Sequence, residues 1–152
     1  LLESRGLGDV YKRQIVDGIG MAAAFAAGAD GIQMGTRFVS SLESPVHENF
    51  KGAIVNGSEQ GTYILNKKAK PCIRALKTEL TDKIYEEGLM DMSALSGIKD
   101  LYFGGDMNAA PALAGQSIGL INEVLPVEQI IKQTMQEFNS VCESLSNSKF
   151  EL

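Results

Sequence analysis

Cysteine and histidine are both scarce in this chain of 152 residues, which holds two cysteines and one histidine. Cys72 and Cys142 lie far apart in the sequence, and neither belongs to a Cys-x-x-Cys pair. One long-range disulfide between them is conceivable, but the low cysteine content favours two free thiols in a reducing cytoplasm. With His47 as the one histidine, a zinc site is not expected.

Long apolar runs and long basic runs are also missing. No stretch approaches the ~20 apolar residues that a membrane-crossing helix needs, and the N-terminus carries no apolar core of a signal peptide. The formal net charge is -5, and no basic run exceeds Lys67-Lys68, with Lys70 close by. An acidic chain without a basic stripe is a poor candidate for binding nucleic acid or an anionic membrane. We therefore expect a cytoplasmic protein with no nucleic-acid or membrane partner.

What is present is the composition of a globular protein, with 44% apolar and 22% charged residues. Enough apolar surface exists to offset the ordering entropy, which excludes a disordered chain. A domain of this size buries roughly 68–70% of its unfolded surface, so the chain can form a hydrophobic core.

Residues 1–14 do not fit the pattern of the rest of the chain. They would have to supply a strand that leads into Ile15, yet Lys12, Arg13 and Gln14 are three consecutive polar side chains that suit a buried strand poorly. The string RGLGDVYKRQ resembles the translated edge of an assembled sequencing read. Two interpretations stay open, a foreign segment and an exposed polar arm. The chain also begins with leucine instead of methionine, which indicates a processed product or a fragment.

Local signals in the first part of the chain predict a β-α-β-α order. Helix caps and turn glycines mark the boundaries, since their side chains or backbone freedom satisfy helix ends. The elements expected are a strand end at 15–16, a helix over 20–27 with Asp17 as N-cap and Gly28 after it, a strand over 31–35, and a helix from Ser44-Pro45 to about Val55.

The rest of the chain predicts helices almost alone. A short strand is indicated at 62–65, and residues 91–103 form a weak, mixed region. Helices are predicted at 112–121, from Pro126 to near Leu145, and at 71–86, where one face carries Ile73, Leu76, Leu80 and Ile84. A single β-α-β-α stretch followed by helices has too little sheet for an independent α/β domain. The pattern therefore again indicates a fragment.

Two interpretations compete for the glycine-rich segment after Val16. In the first, Gly18-x-Gly20-x-x-Ala23 is a dinucleotide-binding fingerprint, and Glu43 lies roughly 20 residues further on as the acid that would bind a ribose. Against it, the helix spans only about two turns and no further βαβ unit follows. The dinucleotide signal is therefore weak.

In the second interpretation, residues 31–38 are the last strand of a (β/α)8 barrel and its exit. Such barrels often bind a phosphate at the loops after strands seven and eight. Gly35 would let the backbone approach a phosphate closely, and Thr36 would add an amide and a hydroxyl donor. Asp17-Gly18 would then form the loop after strand seven.

These residues carry a resemblance to a known family. Residues 15–44, IVDGIGMAAAFAAGADGIQMGTRFVSSLES, resemble the nitronate monooxygenase (2-nitropropane dioxygenase) family, in whose superfamily the string G-A-D-G-[IV]-Q-[MV]-G-T-R-F is specific. Residues 47–51 look like the family's H-x-N-[FY]-K stretch, and residues 114–120 like its A-G-Q-x-x-G-L. The resemblance covers most of residues 15–145. Arg13 and Gln14 stand where the family has the glycines of A-G-G-I, which supports a foreign N-terminal segment.

The resemblance implies a fold and a division of the chain. The family's proteins are FMN-dependent TIM barrels, so we expect an α/β chain that forms the C-terminal part of a (β/α)8 barrel followed by a mainly helical region. Residues 1–14 would be a doubtful segment, residues 15–60 the last βα units of the FMN-binding barrel, and residues 61–152 the mainly helical region packing on it.

The resemblance also implies an activity for the intact protein. We expect an FMN-dependent oxidoreductase that oxidises small alkyl nitronates or nitroalkanes with O₂, giving a carbonyl product and nitrite. The family's catalytic histidine would lie upstream of residue 1, so this chain alone is expected to be inactive. The NAD(P)H-dependent enoyl-ACP reductases share the pattern and stay an alternative. A Rossmann-like dinucleotide-binding fragment and a non-catalytic helical module also stay open.

By resemblance, the cofactor-binding residues are Gln33, Met34, Gly35 and Thr36, which match the family's FMN-contacting Q-[MV]-G-T. Gly35 and Thr36 would hold the FMN phosphate. No metal is expected.

Four other residues have a structural interpretation beside the functional one. Arg37 either adds charge at the phosphate or forms a salt bridge at the barrel rim, and the salt bridge is favoured. Gln116 either approaches the flavin or caps and packs. His47 is expected to be structural, and Cys72 to be a buried small hydrophobe.

Overall fold

The computed structural model describes residues 15–148, and the predictions for residues 1–14 lie outside this range. The described part contains helices and one two-stranded antiparallel sheet. Its regular elements are α1 (Gly18–Ala26), α2 (Thr36–Val39), α3 (Glu48–Val55), β1 (Thr62–Leu65), β2 (Ile73–Leu76), α4 (Glu79–Glu87) and α5 (Val127–Asn147). Shorter turns are the 3-10 helices Met92–Leu95 and Gln116–Leu120 and a π-helical turn at Asp100–Gly104.

Helix α1 is confirmed with the caps that the sequence predicts. The Asp17 carboxylate accepts a hydrogen bond from the Gly20 N–H at 2.7 Å, and the helix begins at Gly18. Beyond its end, Gly28 has φ +93°, a conformation that glycine adopts without steric cost. The predicted start of the last helix is also confirmed, because α5 begins directly after Pro126.

The two strands predicted around α1 are wrong as regular elements. Neither residues 15–16 nor residues 31–35 form a strand in the described part of the chain. The physical reason is that a strand is defined by a partner, because its N–H and C=O groups bond to a neighbouring chain. Val16 is nevertheless buried in the main hydrophobic cluster, so this segment still contributes to a core.

Helix α3 begins three residues later than predicted, which corrects the assignment of Ser44 and Pro45 as its start. The N-cap is His47, whose Nδ1 accepts from the Asn49 N–H at 3.1 Å. The His47 N–H donates to the Tyr102 carbonyl at 2.6 Å. This long-range bond holds His47 in an extended conformation, so helical backbone starts at Glu48. His47 therefore has the structural role expected of it.

The helix predicted over 71–86 is wrong in its first half. Residues Ile73–Leu76 form β2, which pairs with β1 in the register Thr62↔Leu76 to Leu65↔Ile73. Helix α4 begins only after the N-cap Thr78. The apolar spacing fitted both elements, because a strand that is covered on both faces also buries successive residues. The expectation of helices alone after residue 61 is corrected by this hairpin.

The helix predicted over 112–121 is also mostly wrong. Leu113 forms a bridge with Ala75, and the Leu76 N–H donates to the Ala112 carbonyl at 2.8 Å. The Ala114 N–H donates to the Arg74 carbonyl at 3.3 Å. These bonds place residues 112–114 along the free edge of β2, where they satisfy backbone groups that helix formation would otherwise have used.

The core consists of two hydrophobic clusters on opposite faces of the hairpin. Leu76 belongs to the larger cluster, whose buried members also include Val16, Phe50, Ile54, Leu101, Ala114, Ile118 and Ile121. Ala75 belongs to the smaller one, together with Leu65, Ile84 and Met90. Helix α5 packs on α1, and Phe25 meets Phe138 edge to face with centroids 5.5 Å apart.

Candidate functional site

A cavity of about 370 Å³ lies between the start of α2, the hairpin and the segment that follows Leu113. Its volume is in the range of small-molecule sites, roughly 300–1,000 Å³. The lining residues come from five separate parts of the chain: Ile15, Val16, Gly35, Thr36, Val39, Cys72, Ile73, Arg74, Tyr102, Leu113, Ala114, Gly115 and Ser117.

Gly35 and Thr36 give this cavity its polar backbone wall. Gly35 is the N-cap of α2, with φ -104° and ψ -74°. The N–H groups at the start of a helix have no acceptor within that helix. A Cβ built on Gly35 would meet no heavy atom within 4 Å, so the space beside this glycine is open. The arrangement leaves backbone donors beside a space that a ligand can enter closely.

The Thr36 hydroxyl joins this wall to the segment on the other side of the cavity. Its Oγ1 accepts a hydrogen bond from the Gly115 N–H at 2.8 Å. Since an accepting hydroxyl keeps its own proton, Thr36 can still donate to a ligand. The bond fixes the spacing between Gly35 and Gly115 without consuming that donor.

The charge of the lining favours an anion. Arg74 is half-buried, and its Nη1 donates to Thr62 Oγ1 at 3.0 Å. Among the described residues that line the cavity there is no aspartate or glutamate. Tyr102 is the phenol of the lining, and burial raises its pKa, which keeps it neutral. A positive side chain without a negative neighbour in the lining suits a phosphate or another oxyanion.

The remaining residues of the sequence prediction lie elsewhere. Gln33 and Met34 precede Gly35 but are not among the lining residues of this cavity. Arg37 lines a second cavity, and its Nη1 donates to the Glu123 backbone carbonyl at 2.8 Å in place of the expected salt bridge. Burial lowers the pKa of Arg37, while the carboxylates of Glu123 and Glu137 act in the opposite direction.

Gln116 and the cysteines also differ in part from expectation. Gln116 is exposed and lines a third cavity, whose lining does not include Gly35. The expectation that Cys72 is a buried hydrophobe is wrong, since Cys72 is exposed and lies at the margin of the cavity. Its position on the hairpin, instead of inside a helix, explains the exposure. Both cysteines are free thiols, as their spacing and number indicated.

The dinucleotide interpretation meets a physical obstacle at Gly18. The Gly18 N–H donates to Glu137 Oε2 at 2.8 Å, and the Gly20 N–H donates to Asp17. A Cβ on Gly18 would overlap the backbone of α5. Two carboxylates and a packed helix therefore occupy the place where a pyrophosphate would sit, and a negative ligand would be repelled there.

Sequence reasoning missed Arg74 and Gly115 as members of the site. Assigning residues 71–86 and 112–121 to helices hid both, because Arg74 lies on β2 and Gly115 follows the segment paired with it. Alternation across a strand, with Arg74 and Leu76 on one face and Ala75 on the other, was the signal available.

In the described residues no helix is both long and apolar enough to cross a membrane.

Sequence comparison finds a matching family model and similar proteins. A family model described as nitronate monooxygenase matches residues 14–137. A probable nitronate monooxygenase of Staphylococcus saprophyticus is 27% identical over 135 residues, which are 82% of this chain and 38% of the relative. A probable nitronate monooxygenase of Staphylococcus aureus strain Newman is 31% identical over 106 residues, which are 69% of this chain and 28% of the relative.

This chain is also similar to parts of solved structures. FabK from Thermotoga maritima superposes with a TM-score of 0.81 and 39% identity, over 87% of this chain and 44% of that one. A nitroalkane oxidase from Streptomyces ansochromogenes superposes with a TM-score of 0.72 and 21% identity, over 86% of this chain and 39% of that one. At that identity the second likeness shows the fold alone. Both neighbours are TIM barrels, and this chain spans less than half of the length of each relative and neighbour. From the family match over residues 14–137, this chain belongs to the nitronate monooxygenase family of flavin-dependent oxidoreductases.

Proposed function

We propose that the protein containing this chain is an FMN-dependent nitronate monooxygenase that oxidises alkyl nitronates with O₂, acting in the cytoplasm. In this proposal, residues 15–60 are the last βα units of its barrel, and the segments at 15–16 and 31–35 become strands where other parts of the protein offer them hydrogen-bond partners. Residues 61–152, with their hairpin and helices, pack on that barrel. The observation that carries the proposal is the cavity in which Gly35 and Thr36 face Gly115.

The residues of the cavity fit the phosphate end of FMN. The space beside Gly35 is open, so a phosphate can reach the backbone N–H groups there. The Thr36 hydroxyl keeps a proton to donate, and the lining residues that the structure describes include Arg74 and no carboxylate. Gln33 and Met34 lead into Gly35, and the proposal assigns them contacts with the rest of the flavin, as the family's Q-[MV]-G-T pattern implies.

The proposal gives the flavin and the residues of the cavity different roles. Bound flavin supplies the transfer of electrons from the nitronate to O₂. Gly35 and Thr36 bind and orient it, and Val16, Val39 and Leu113 exclude water from the cavity wall. The part of the lining that residues 15–148 supply contains no histidine and no carboxylate that would serve as a base. We therefore place the base in a part of the protein outside residues 15–148.

A second candidate function is reduction of an enoyl thioester with NAD(P)H. It is favoured by one observation, the 39% identity to FabK, which exceeds the 27% and 31% identities to the two probable nitronate monooxygenases. FabK belongs to the enoyl-ACP reductases of the same superfamily. The two functions share the flavin site and differ in the substrate, so assays with both substrates separate them. Nitrite release from propane-2-nitronate supports the first, and NAD(P)H oxidation by an enoyl thioester supports the second.

The flavin site itself is tested by Gly35→Val in the complete protein. The space beside Gly35 is free of protein atoms and its φ is negative, so the variant is expected to fold and to block the phosphate. Purified Gly35→Val should lose its flavin absorbance and fail to bind FMN on titration. Thr36→Ala removes one donor and the acceptor of the Gly115 N–H, and about ten- to hundredfold weaker binding is expected.

Gly31→Val is the matched control. A Cβ on Gly31 also meets nothing within 4 Å, and Gly31 is not part of the cavity lining. This variant should keep stoichiometric FMN. If Gly35→Val keeps its flavin as well, the assignment of Gly35 to the phosphate site is wrong.

A further inference from the structure

We propose that Arg74 binds the anionic group of the ligand that occupies this cavity, so that the β1–β2 hairpin contributes a charged residue to the flavin site. This inference rests on the proposed function and extends it, because the family resemblance assigned cofactor contacts only to residues 33–36. The chemistry recognised is an oxyanion, either the phosphate of FMN or the nitronate group of the substrate.

The strand geometry places Arg74 beside the cavity. Side chains alternate between the two faces of a strand, so Arg74 and Leu76 share one face of β2 and Ala75 lies on the other. Leu76 packs in the cluster that contains Val16 and Ala114, two residues that also line the cavity. Ala75 packs in the opposite cluster. Arg74 therefore shares the face of β2 that packs toward Val16 and Ala114, and it lines the cavity together with its neighbour Ile73.

Backbone hydrogen bonds tie Arg74 to the phosphate wall. The Ala114 N–H donates to the Arg74 carbonyl at 3.3 Å, and the next residue, Gly115, donates to Thr36 Oγ1 at 2.8 Å. Two short connections thus place Arg74 and Thr36 on either side of the same dipeptide. Arg74 and the donors near Gly35 consequently line one cavity from different elements.

The charge of Arg74 has no protein counter-ion in the described part of the chain. The ion pair found there is Lys132–Glu128 at 2.6 Å, on the exposed surface of α5. Arg74 instead donates one hydrogen bond, to the neutral Thr62 hydroxyl, out of the five N–H groups of a guanidinium. A half-buried cation in this state loses hydration and gains only a neutral partner among the described residues, and a bound oxyanion would supply a charged one.

The test compares FMN with riboflavin, which lacks the phosphate, on the complete protein stripped of flavin. Arg74→Gln removes the charge, and Arg74→Lys keeps it. If Arg74 binds the phosphate, Arg74→Gln should bind FMN about ten- to hundredfold more weakly while its riboflavin affinity is unchanged. Arg74→Lys should recover part of the loss. Unchanged riboflavin affinity shows at the same time that the variant is folded.

Lys77→Gln is the control for charge alone. Lys77 follows β2 directly, and its Nζ lies over the Tyr63 ring, 4.6 Å from the centroid and outside the cavity lining. Its removal should leave both flavin affinities unchanged. If Lys77→Gln lowers FMN affinity as much as Arg74→Gln does, the loss comes from the overall positive charge and not from a contact with Arg74, and the proposal is wrong.

The substrate arm uses FMN-saturated enzyme and propane-2-nitronate. If Arg74 binds the substrate anion, Arg74→Gln leaves both flavin affinities intact and raises KM about tenfold or more, with a smaller change in kcat. If Arg74→Gln has wild-type affinities for FMN and riboflavin and a wild-type KM, the inference is wrong, while the proposed flavin-dependent function is unaffected. Failure of the wild-type protein to bind FMN would instead overturn the proposed function and this inference with it.

Discussion

The carboxylate of Glu137 caps helix α1 from the opposite end of the described chain: its Oε2 accepts the Gly18 N–H at 2.8 Å, across 119 positions. A negative group at a helix N-terminus is stabilised by the partial positive charge of the unpaired N–H groups. The contact requires α5 to lie directly on Gly18, where a Cβ would overlap the backbone of Thr134 and Phe138. The close contact at Gly18 and the hydrogen bond from Gly18 to Glu137 therefore hold α1 and α5 together.

This relationship predicts that Gly18→Ala destabilises the protein. The added methyl group must push α5 away from α1, and overpacking of this kind costs about 1–3 kcal/mol. The measurement is the free energy of unfolding in urea for the complete protein. Gly52→Ala is the control, because Gly52 lies inside α3 and a Cβ there meets its nearest heavy atom, Asn56 Nδ2, at 4.0 Å.

The control should behave in the opposite way. Alanine in an unobstructed helix interior is expected to stabilise by about 0.5–1 kcal/mol relative to glycine. If Gly18→Ala proves as stable as Gly52→Ala, the packing of α5 over the N-terminus of α1 is wrong.

The parts of the fold that the sequence predicts well depend on neighbours within one or two helical turns. Asp17 caps α1 by a bond to Gly20, three residues away, and Gly28 follows α1 with positive φ. Helix α5 combines a start after Pro126 with regular apolar spacing. These signals are local, so the amino-acid pattern contains them without knowledge of the rest of the chain.

The errors arise where a distant segment decides the local structure. Residues 73–76 have spacing that suits a helix, yet they form β2 because β1 and residues 112–114 offer hydrogen-bond partners on both sides. His47 becomes the N-cap of α3 because its N–H bonds to Tyr102. Among the residues that line the candidate cavity, Gly35 and Thr36 lie in one short string of the sequence, whereas Arg74 joins them only through the pairing of β2.

A second prediction concerns the start of α4, where the residue pattern misled. Thr81 is fully buried, and its hydroxyl donates to the Leu76 carbonyl at 2.8 Å and accepts from the Thr78 N–H at 2.7 Å. Thr81→Val keeps the shape but leaves both groups unpaired, at a cost of about 1–3 kcal/mol of unfolding free energy. Urea unfolding of the complete protein measures this loss.

Thr81→Ser is the matched variant, since it keeps the hydroxyl and loses one methyl group. Its expected cost is about 1 kcal/mol or less. Equal destabilisation by valine and serine would show that packing of the methyl group, and not the hydrogen bonds, holds the turn between β2 and α4.

The last prediction is an alkaline loss of stability caused by Tyr102. This phenol is half-buried against Phe50, with ring centroids 5.4 Å apart, and burial raises its pKa. Because the folded pKa lies above that of an unfolded tyrosine, about 10, the unfolded chain releases its proton first as the pH rises. The contribution of the neutral phenol to stability is therefore fully present below about pH 10 and declines above it. The measurement is the difference in unfolding free energy between wild type and Tyr102→Phe, which cancels the titration of the other groups. This difference should be constant at lower pH and should shift against the wild type above about pH 10. A difference that stays flat across this range would mean that Tyr102 ionises as readily in the folded protein as in the unfolded chain, which contradicts its packing beside Phe50.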